Sequence, residues 1–443
     1  MLKLELNEKV ATNMLEVGFG QTTITPPIGT PLGGYENRKF NALGIHDDLR
    51  ARCVLFQDTE TSSMNVAIII CDLLWAHYEF TDGIKAIIEE ITRGVVKKEN
   101  IIISAIHTHS SQRIEGGLDF YYKPIKKKND PDQGWYVSNA LSYLQRVIAS
   151  SVLGAMQDLK PATIVYNVGT TDTGHNRRYG DDAASIVDRE LMVAAILEAG
   201  STLEGSNIRA IFYNLANHCV GMGEENYLIS ADWPYFTAEL LKAEFKLGWQ
   251  ASIMFGQGTA GNTNPYNCIF NQEVREIRDC EEIGQRVAAD VTDVLREENL
   301  KFLVTSGEPC SISVKSKTIH VEVTDPAKIE FYRQFNLSFI GVVELDGTLQ
   351  LEIRITMIKI NNMVIIGVPG EPFGEFGVEM KKIIRDRDPD LVPVVLELTD
   401  GSIGYITSRG SYYNGKGYEA SLAGSAETGY KMLEVVEEMA REL

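Results

Sequence analysis

The sequence has no apolar run long enough to span a bilayer; its longest, such as Val66 to Ile70 and Ile101 to Ile103, are strand-sized. Basic charge is in the minority: 42 Lys and Arg stand against 61 Asp and Glu, for a net charge of −19. Nucleic acid and anionic membrane surfaces favour basic patches, so neither is expected as a partner, and no stable membrane insertion is expected. The six cysteines, Cys53, Cys71, Cys219, Cys268, Cys280 and Cys310, are scattered with no CxxC spacing. Several sit in apolar runs, where a thiol behaves as a small hydrophobe, so no disulfide framework is expected. The opening MLKLELNEKVATN has neither a continuous apolar core nor a small-residue cleavage site. A reducing, cytoplasmic location is the expectation. Internal repeats and low-complexity linkers are also missing.

What is there is an alternation of short apolar runs with longer helical patterns. Arg50–Phe56, Asn65–Cys71, Asn100–Ile106, Ile208–Ala216 and Ala251–Phe255 read as strands. Phe80–Arg93 and Trp135–Leu159 carry apolar residues at three- and four-residue spacing and read as amphipathic helices. Asp232 followed by Trp233-Pro234 marks a helix start, Gln272–Glu297 is helical, and Met432–Leu443 is a closing helix. Strands dominate from Phe302 to Leu398, including the alternating Leu349–Ile360 and the buried-type Val364–Val368. The fold class is therefore mixed α/β, with mixed sheets covered by helices. With no obvious boundary, residues 1–443 are expected to form one large domain. The charged loop from Arg113 to Gly134 is long enough for a functional lid or a solvated insertion.

Histidine is rare, seven in all, yet two stand together in IIISAIHTHS, Ile101 to Ser110. At the end of a buried strand, period-two geometry would put His107 and His109 on one face. Two imidazoles there suit a metal, a ligand beside an acid/base group, or simply two hydrogen-bonded histidines. Ile208–His218 repeats the pattern of a strand running into a histidine, and Val368–Phe373 places Glu371 at another strand end. Two histidines and one glutamate are a usual hydrolytic zinc set, although Glu371 alone reads equally as a helix-start charge. Gly256–Gly261 fits G-x-G-x-x-G, but Asn262-Thr263-Asn264-Pro265 cannot readily open the helix a dinucleotide site needs. That loop suits close backbone approach instead, with Asn264 presenting an amide.

Taken in order, further pieces form a larger pattern. They are Thr25–Tyr35 (TPPIGTPLGGY), Gly44–Arg52 (GIHDDLRAR), His107–Ser110 (HTHS), Asn176–Arg178 (NRR), Ala216–His218 (ANH) and Ser230–Asp232 (SAD). Gly258–Pro265 (GTAGNTNP), Val368–Glu371 (VPGE), Gly404–Thr407 (GYIT) and Tyr418–Ser421 (YEAS) complete it. This set resembles the catalytic N-terminal region of the neutral/alkaline, non-lysosomal ceramidase family over nearly the whole chain. The resemblance implies one zinc ion per chain, with His107, His218, Glu371 and Tyr405 as ligands. It also implies that His109, Arg177 and Tyr418 surround a scissile amide. Zinc lowers the pKa of bound water. His109 could then move a proton or hold the substrate, and Arg177 and Tyr418 could stabilise the carbonyl oxygen.

The chain departs from the family in three places. Asn264 stands where ceramidases carry a serine in Gly-Asp-x-Ser-Pro-Asn, and asparagine can donate a hydrogen bond but cannot be a nucleophile. HTHSGP is here HTHSSQ, and the Tyr405–Tyr418 interval is one residue longer. Because the last motif lies close to Leu443, the family's C-terminal β-sandwich domain is not expected in this chain. The expectation is a zinc-dependent amide hydrolase acting on a soluble small molecule rather than on membrane ceramide. The alternatives are an ester, lactone or sugar-like substrate on the same scaffold, or a catalytically silent binding protein. The sequence is silent on oligomeric state.

Overall fold

The computed structural model describes residues 15–35, 37–58, 64–114, 133–178, 186–201, 203, 207–270, 275–296, 300–335, 341–414 and 417–443. Most of the Arg113–Gly134 loop, residues 115–132, lies outside the described residues.

The larger sheet has nine strands. In chain order these are β1 (Leu15–Thr23), β2 (Arg50–Asp58), β3 (Asn65–Cys71), β4 (Ile101–Ala105), β5 (Lys160–Thr170), β6 (Glu190–Glu198), β7 (Ile208–Leu215), β8 (Ser252–Gln257) and β9 (Lys301–Val304). Their spatial order is β8-β7-β6-β5-β1-β2-β3-β4, with β9 pairing β5. Only the outermost pairs, β8/β7 and β3/β4, are parallel. This explains why β3 and β4 read as unbroken apolar runs: every residue of both is buried, which in parallel pairs means cover on both faces. Each isoleucine buried there contributes about 1.5–3 kcal/mol.

Helix α1 (Tyr78–Ile91) packs on α2 (Gln133–Gln157), which lies across β1 and β2. Helices α3 (Trp233–Glu244) and α4 (Ile277–Arg296) cover β8 and β5–β6 respectively. A second sheet is formed by β10 (Ile312–Glu322), β11 (Val342–Leu345), β12 (Thr348–Ile360), β13 (Met363–Gly367) and β14 (Val392–Leu396), in the order β10-β12-β13-β14 with β11 on β12. Its strands β13 and β14 serve two cores by simple alternation. Met363, Ile365, Val392 and Val394 join the core of the large sheet, whereas Val364, Ile366 and Val395 face the other way. On that side they meet α5 (Gly374–Arg387) and α6 (Thr428–Ala440). The layers therefore run helices, sheet, sheet, helices.

Helix α5 and the shorter helix Pro326–Phe335 interrupt a stretch that reads as strand-dominated in sequence. The buried residues of α5 recur at helical spacing (Phe376, Met380, Ile384) but follow directly on a buried strand.

The edge strands β4 and β8 come close without pairing, and the chain after β14 lies between them. The Glu397 N–H donates to Gln257 O (3.0 Å) and the Asp400 N–H to Ile103 O (2.7 Å). The Ile103 N–H in turn donates to Asp400 Oδ1 (2.9 Å). This seam brings the ends of β4, β7 and β8 and the segment after β13 to one place.

Candidate metal centre

His107 follows β4 after one residue, with a left-handed backbone (φ 65°). The two histidines of HTH thus converge through a kink after the strand ends, not through the pleat of a continuing strand, because only Ile101–Ala105 is β. Left-handed conformations at non-glycine residues are costly and persist where the surroundings enforce them. Here the enforcement is visible: His107 Nδ1 lies 2.8 Å from Leu74 O, and the His107 N–H donates to Leu73 O at 3.0 Å. His218, just past β7, is anchored alike, its Nδ1 3.1 Å from Thr263 O. Trp233 Nε1–H donates to the His218 carbonyl at 2.9 Å. Asp232 caps α3 as the sequence suggests, accepting from the Trp233 N–H.

A carbonyl oxygen can only accept, so both Nδ1 atoms carry the hydrogen, and in the neutral imidazoles both Nε2 atoms present lone pairs. Those two Nε2 atoms are 3.1 Å apart. Glu371 Oε2 lies 3.1 Å from His107 Nε2 and 3.3 Å from His218 Nε2, without a hydrogen-bond donor. With both imidazoles neutral, three buried lone-pair atoms face one another, an arrangement that a cation, a metal ion or a proton, would complete. Tetrahedral ligands at the usual zinc bond lengths sit about 3.3–3.5 Å apart, close to these separations. Burial pulls the His218 pKa down to about 4, helped by the charge of Arg177, so its imidazole is neutral at neutral pH. Burial would raise the Glu371 pKa, but positive charge on the histidines, the charge a bound cation would supply in their place, holds the carboxyl well below its usual range.

His109 Nε2 lies 3.2 Å from His107 Nε2, and the ligand atoms of His107, His109 and His218 fall within 4.8 Å of one another. His109 differs from the other two in one respect: its Nδ1 is buried with no partner among the described residues. Metal-ligating histidines nearly always anchor the second nitrogen. Gly34 (φ 89°) lies against His109, and a Cβ there would sit 2.4 Å from the ring.

Glu371 lies in a two-residue ladder beside Tyr405, where their backbones pair in parallel. The Gly-rich loop packs behind this ladder and does not open a dinucleotide-type helix; a Cβ on Gly261 would stand 2.3 Å from Glu371 O. Tyr405 is buried against the half-exposed Tyr418, their ring centroids 5.7 Å apart. Burial, then the charge of Glu371, holds the Tyr405 phenol well above its usual pKa. Arg177 packs beneath both rings, 5.6 and 5.2 Å from their centroids. Its Nη1 donates to Asn264 Oδ1 at 2.8 Å and lies 3.5 Å from His218 Nε2, while Nη2 donates to Gly261 O. With Asn264 Oδ1 occupied, its NH₂ is the end left to donate. The structure thus brings all eight candidates, His107, His109, Arg177, His218, Asn264, Glu371, Tyr405 and Tyr418, into one contiguous site.

One member was not singled out in the sequence. Glu419, fully buried, accepts from Arg177 Nε (2.7 Å) and from Arg178 Nη2 (2.5 Å). Its signal was the arginine pair Arg177-Arg178, whose buried charge requires a carboxylate.

Comparison with known proteins accords with this geometry. A family model described as the N-terminal part of neutral/alkaline non-lysosomal ceramidase matches residues 15–267, more than half of the chain. The crystal structure of neutral ceramidase from Pseudomonas aeruginosa superposes with a TM-score of 0.74 at 17% identity, covering 97% of this chain and 74% of that one. A structure described as ceramidase complexed with C2 gives 0.74 at 16% identity, with 97% and 75% covered. Likeness at that identity speaks for the fold. No described helix is long and apolar enough to cross a membrane. The chain belongs to the neutral/alkaline non-lysosomal ceramidase family.

Proposed function

We propose that this chain is a zinc-dependent hydrolase that cleaves the C–N bond of an amide in a small soluble substrate. The observation that carries the reading is the convergence of His107 Nε2, His218 Nε2 and Glu371 Oε2 as mutually facing, donor-free atoms. His107, His218 and Glu371 would hold the ion, with Tyr405 beside Glu371 as the fourth ligand. When bound, zinc lowers the pKa of water toward neutrality and polarises a carbonyl. His109, with no anchor on Nδ1, is the proton carrier rather than a ligand. Its Nε2 takes a proton from the attacking water and returns it to the departing amine nitrogen as the C–O bond forms and the C–N bond breaks. Arg177, the Asn264 NH₂ and Tyr418 stabilise the negative charge that develops on the carbonyl oxygen. Glu419 positions Arg177 for this.

Residues 1–443 act as one domain in this reading, because the residues that build the centre run from position 107 to position 419. All six cysteines are free, which supports a reducing, cytoplasmic setting. Asn264, with its oxygen tied to Arg177, supports a substrate other than ceramide. A panel of N-acyl amides, esters, lactones and micellar ceramide tests the proposal. Amide turnover abolished by His107→Ala and by Glu371→Ala is the expected result. Activity unchanged in both variants would overturn the site, and robust release of sphingosine from ceramide would overturn the substrate class.

A further inference from the structure

Arg38 sits beside the histidine cluster, and the proposed chemistry does not use it. Its Nη1 donates to His109 O (2.7 Å) and Gly33 O (2.6 Å), and its Nε donates to Asn226 O (3.0 Å). Its Nη2 is buried and, among the described residues, has no partner. The guanidinium stacks over Tyr35 at 4.9 Å from the centroid, and Tyr35 in turn packs on the His109 ring at 4.8 Å.

Among the described residues, no carboxylate forms an ion pair with Arg38. Asp232 is near enough to act on it, but both Asp232 oxygens accept backbone N–H groups, from Gly221 and Trp233 on one and Met222 on the other. Further positive charge crowds the same corner. Arg113 acts on Arg38, and Arg275 donates from Nη2 to Tyr35 OH at 3.2 Å. Burial, with the charge of Arg113 adding to it, pulls the Arg38 pKa down to about 10.

A chain of net charge −19 thus places a partly buried cation, bonded among the described residues only to neutral carbonyls, next to its candidate reaction centre. Such a cation costs free energy unless something completes its shell. We infer that Arg38 is the recognition group for a compact anionic substituent, a carboxylate or a phosphate, on the substrate. With Nε and Nη1 committed to carbonyls, Nη2 offers a single-nitrogen contact rather than the paired fork arginine usually presents. The assignment rests on reading the histidine cluster as the reaction centre, and it narrows the substrate to acidic amides such as N-acylated amino acids or phosphorylated amides.

Titration calorimetry on the full chain with three matched probes tests it: N-benzoylglycine, its neutral amide, and the phosphate monoester of N-benzoylethanolamine. At least one anionic probe should bind about 10- to 100-fold more tightly than the neutral amide, the range of a hydrogen bond to a charged group. Arg38→Gln should erase the preference, and Arg38→Lys should keep part of it. Which anion is favoured distinguishes carboxylate from phosphate. His107→Ala should leave the preference intact, so a failed metal centre and a failed anion site give different results. Equal binding of all three probes, or a preference that survives Arg38→Gln, would overturn the inference. So would a preference lost in His107→Ala but kept in Arg38→Gln, which would place the anion on the histidines. If Arg38→Gln does not fold, the wild-type preference must shrink as salt rises, and a salt-independent preference is contrary.

Discussion

Arg177 and Arg38 both touch the histidine cluster, yet their charges are handled differently. Arg177 is locked to the buried Glu419 and shares that carboxylate with Arg178. Among the described residues, the hydrogen bonds of Arg38 go only to carbonyl oxygens. A paired guanidinium is fixed in place and can aim its remaining donors at a reacting group. One held by neutral oxygens keeps its charge in hand for whatever binds beside it. The same contrast separates the buried Glu419 from the half-buried Glu375. Glu419 has two cations, whereas none among the described residues acts on Glu375, and burial raises its pKa to about 7.

The contrast is broken most severely at the groups that Arg177 serves. His107→Ala or Glu371→Ala should reduce amide turnover about 1,000-fold or more, since zinc contributes several kcal/mol of transition-state stabilisation. Next in size is His109→Asn, expected to lower kcat by about 10²–10⁴-fold, as loss of an acid–base group does, while metal content stays unchanged. Loss of metal in that variant would make His109 a ligand and reassign the proton carrier.

Glu419→Gln leaves two guanidinium groups without their carboxylate. In urea unfolding it should cost about 3–5 kcal/mol, the usual price of breaking a buried pair. Arg38→Gln, which breaks no ion pair among the described residues, should cost less.

The smallest effect falls on Glu375. Its folded pKa of about 7 lies above its ordinary 4.5, so between those values the folded chain keeps a proton that the unfolded chain releases. Stability from this group is therefore present below pH 4.5 and falls as pH rises to about 7. Glu375→Gln should stabilise the protein by about 1–3 kcal/mol at pH 8 and have little effect near pH 4. A pH-independent difference in urea midpoints would contradict this.

The sequence made the strands around the site legible because burial on both faces writes itself as unbroken runs, as in Asn65–Cys71 and Ile101–Ala105. It revealed the histidines because they punctuate those runs. It concealed what depends on long-range meeting. The left-handed turn at His107 is set by Leu73 and Leu74, more than thirty positions away, and has no local signature. Glu419 reads as an ordinary surface acid until the fold brings Arg177 and Arg178 onto it. Arg38 sits in a Gly- and Asn-containing loop with no periodicity to mark it as buried. The Gly-rich loop was legible as one for close backbone approach with Asn264 presenting an amide, but nothing local marked Gly261 as the residue backing Glu371.

The central claim is that the donor-free atoms of His107, His218 and Glu371 surround a metal ion. Elemental analysis of the purified protein, wild type beside His218→Ala, tests it most directly. The account predicts about one zinc per chain in the wild type and its loss in the variant. No metal in the wild type, and none taken up when zinc is supplied, would contradict it.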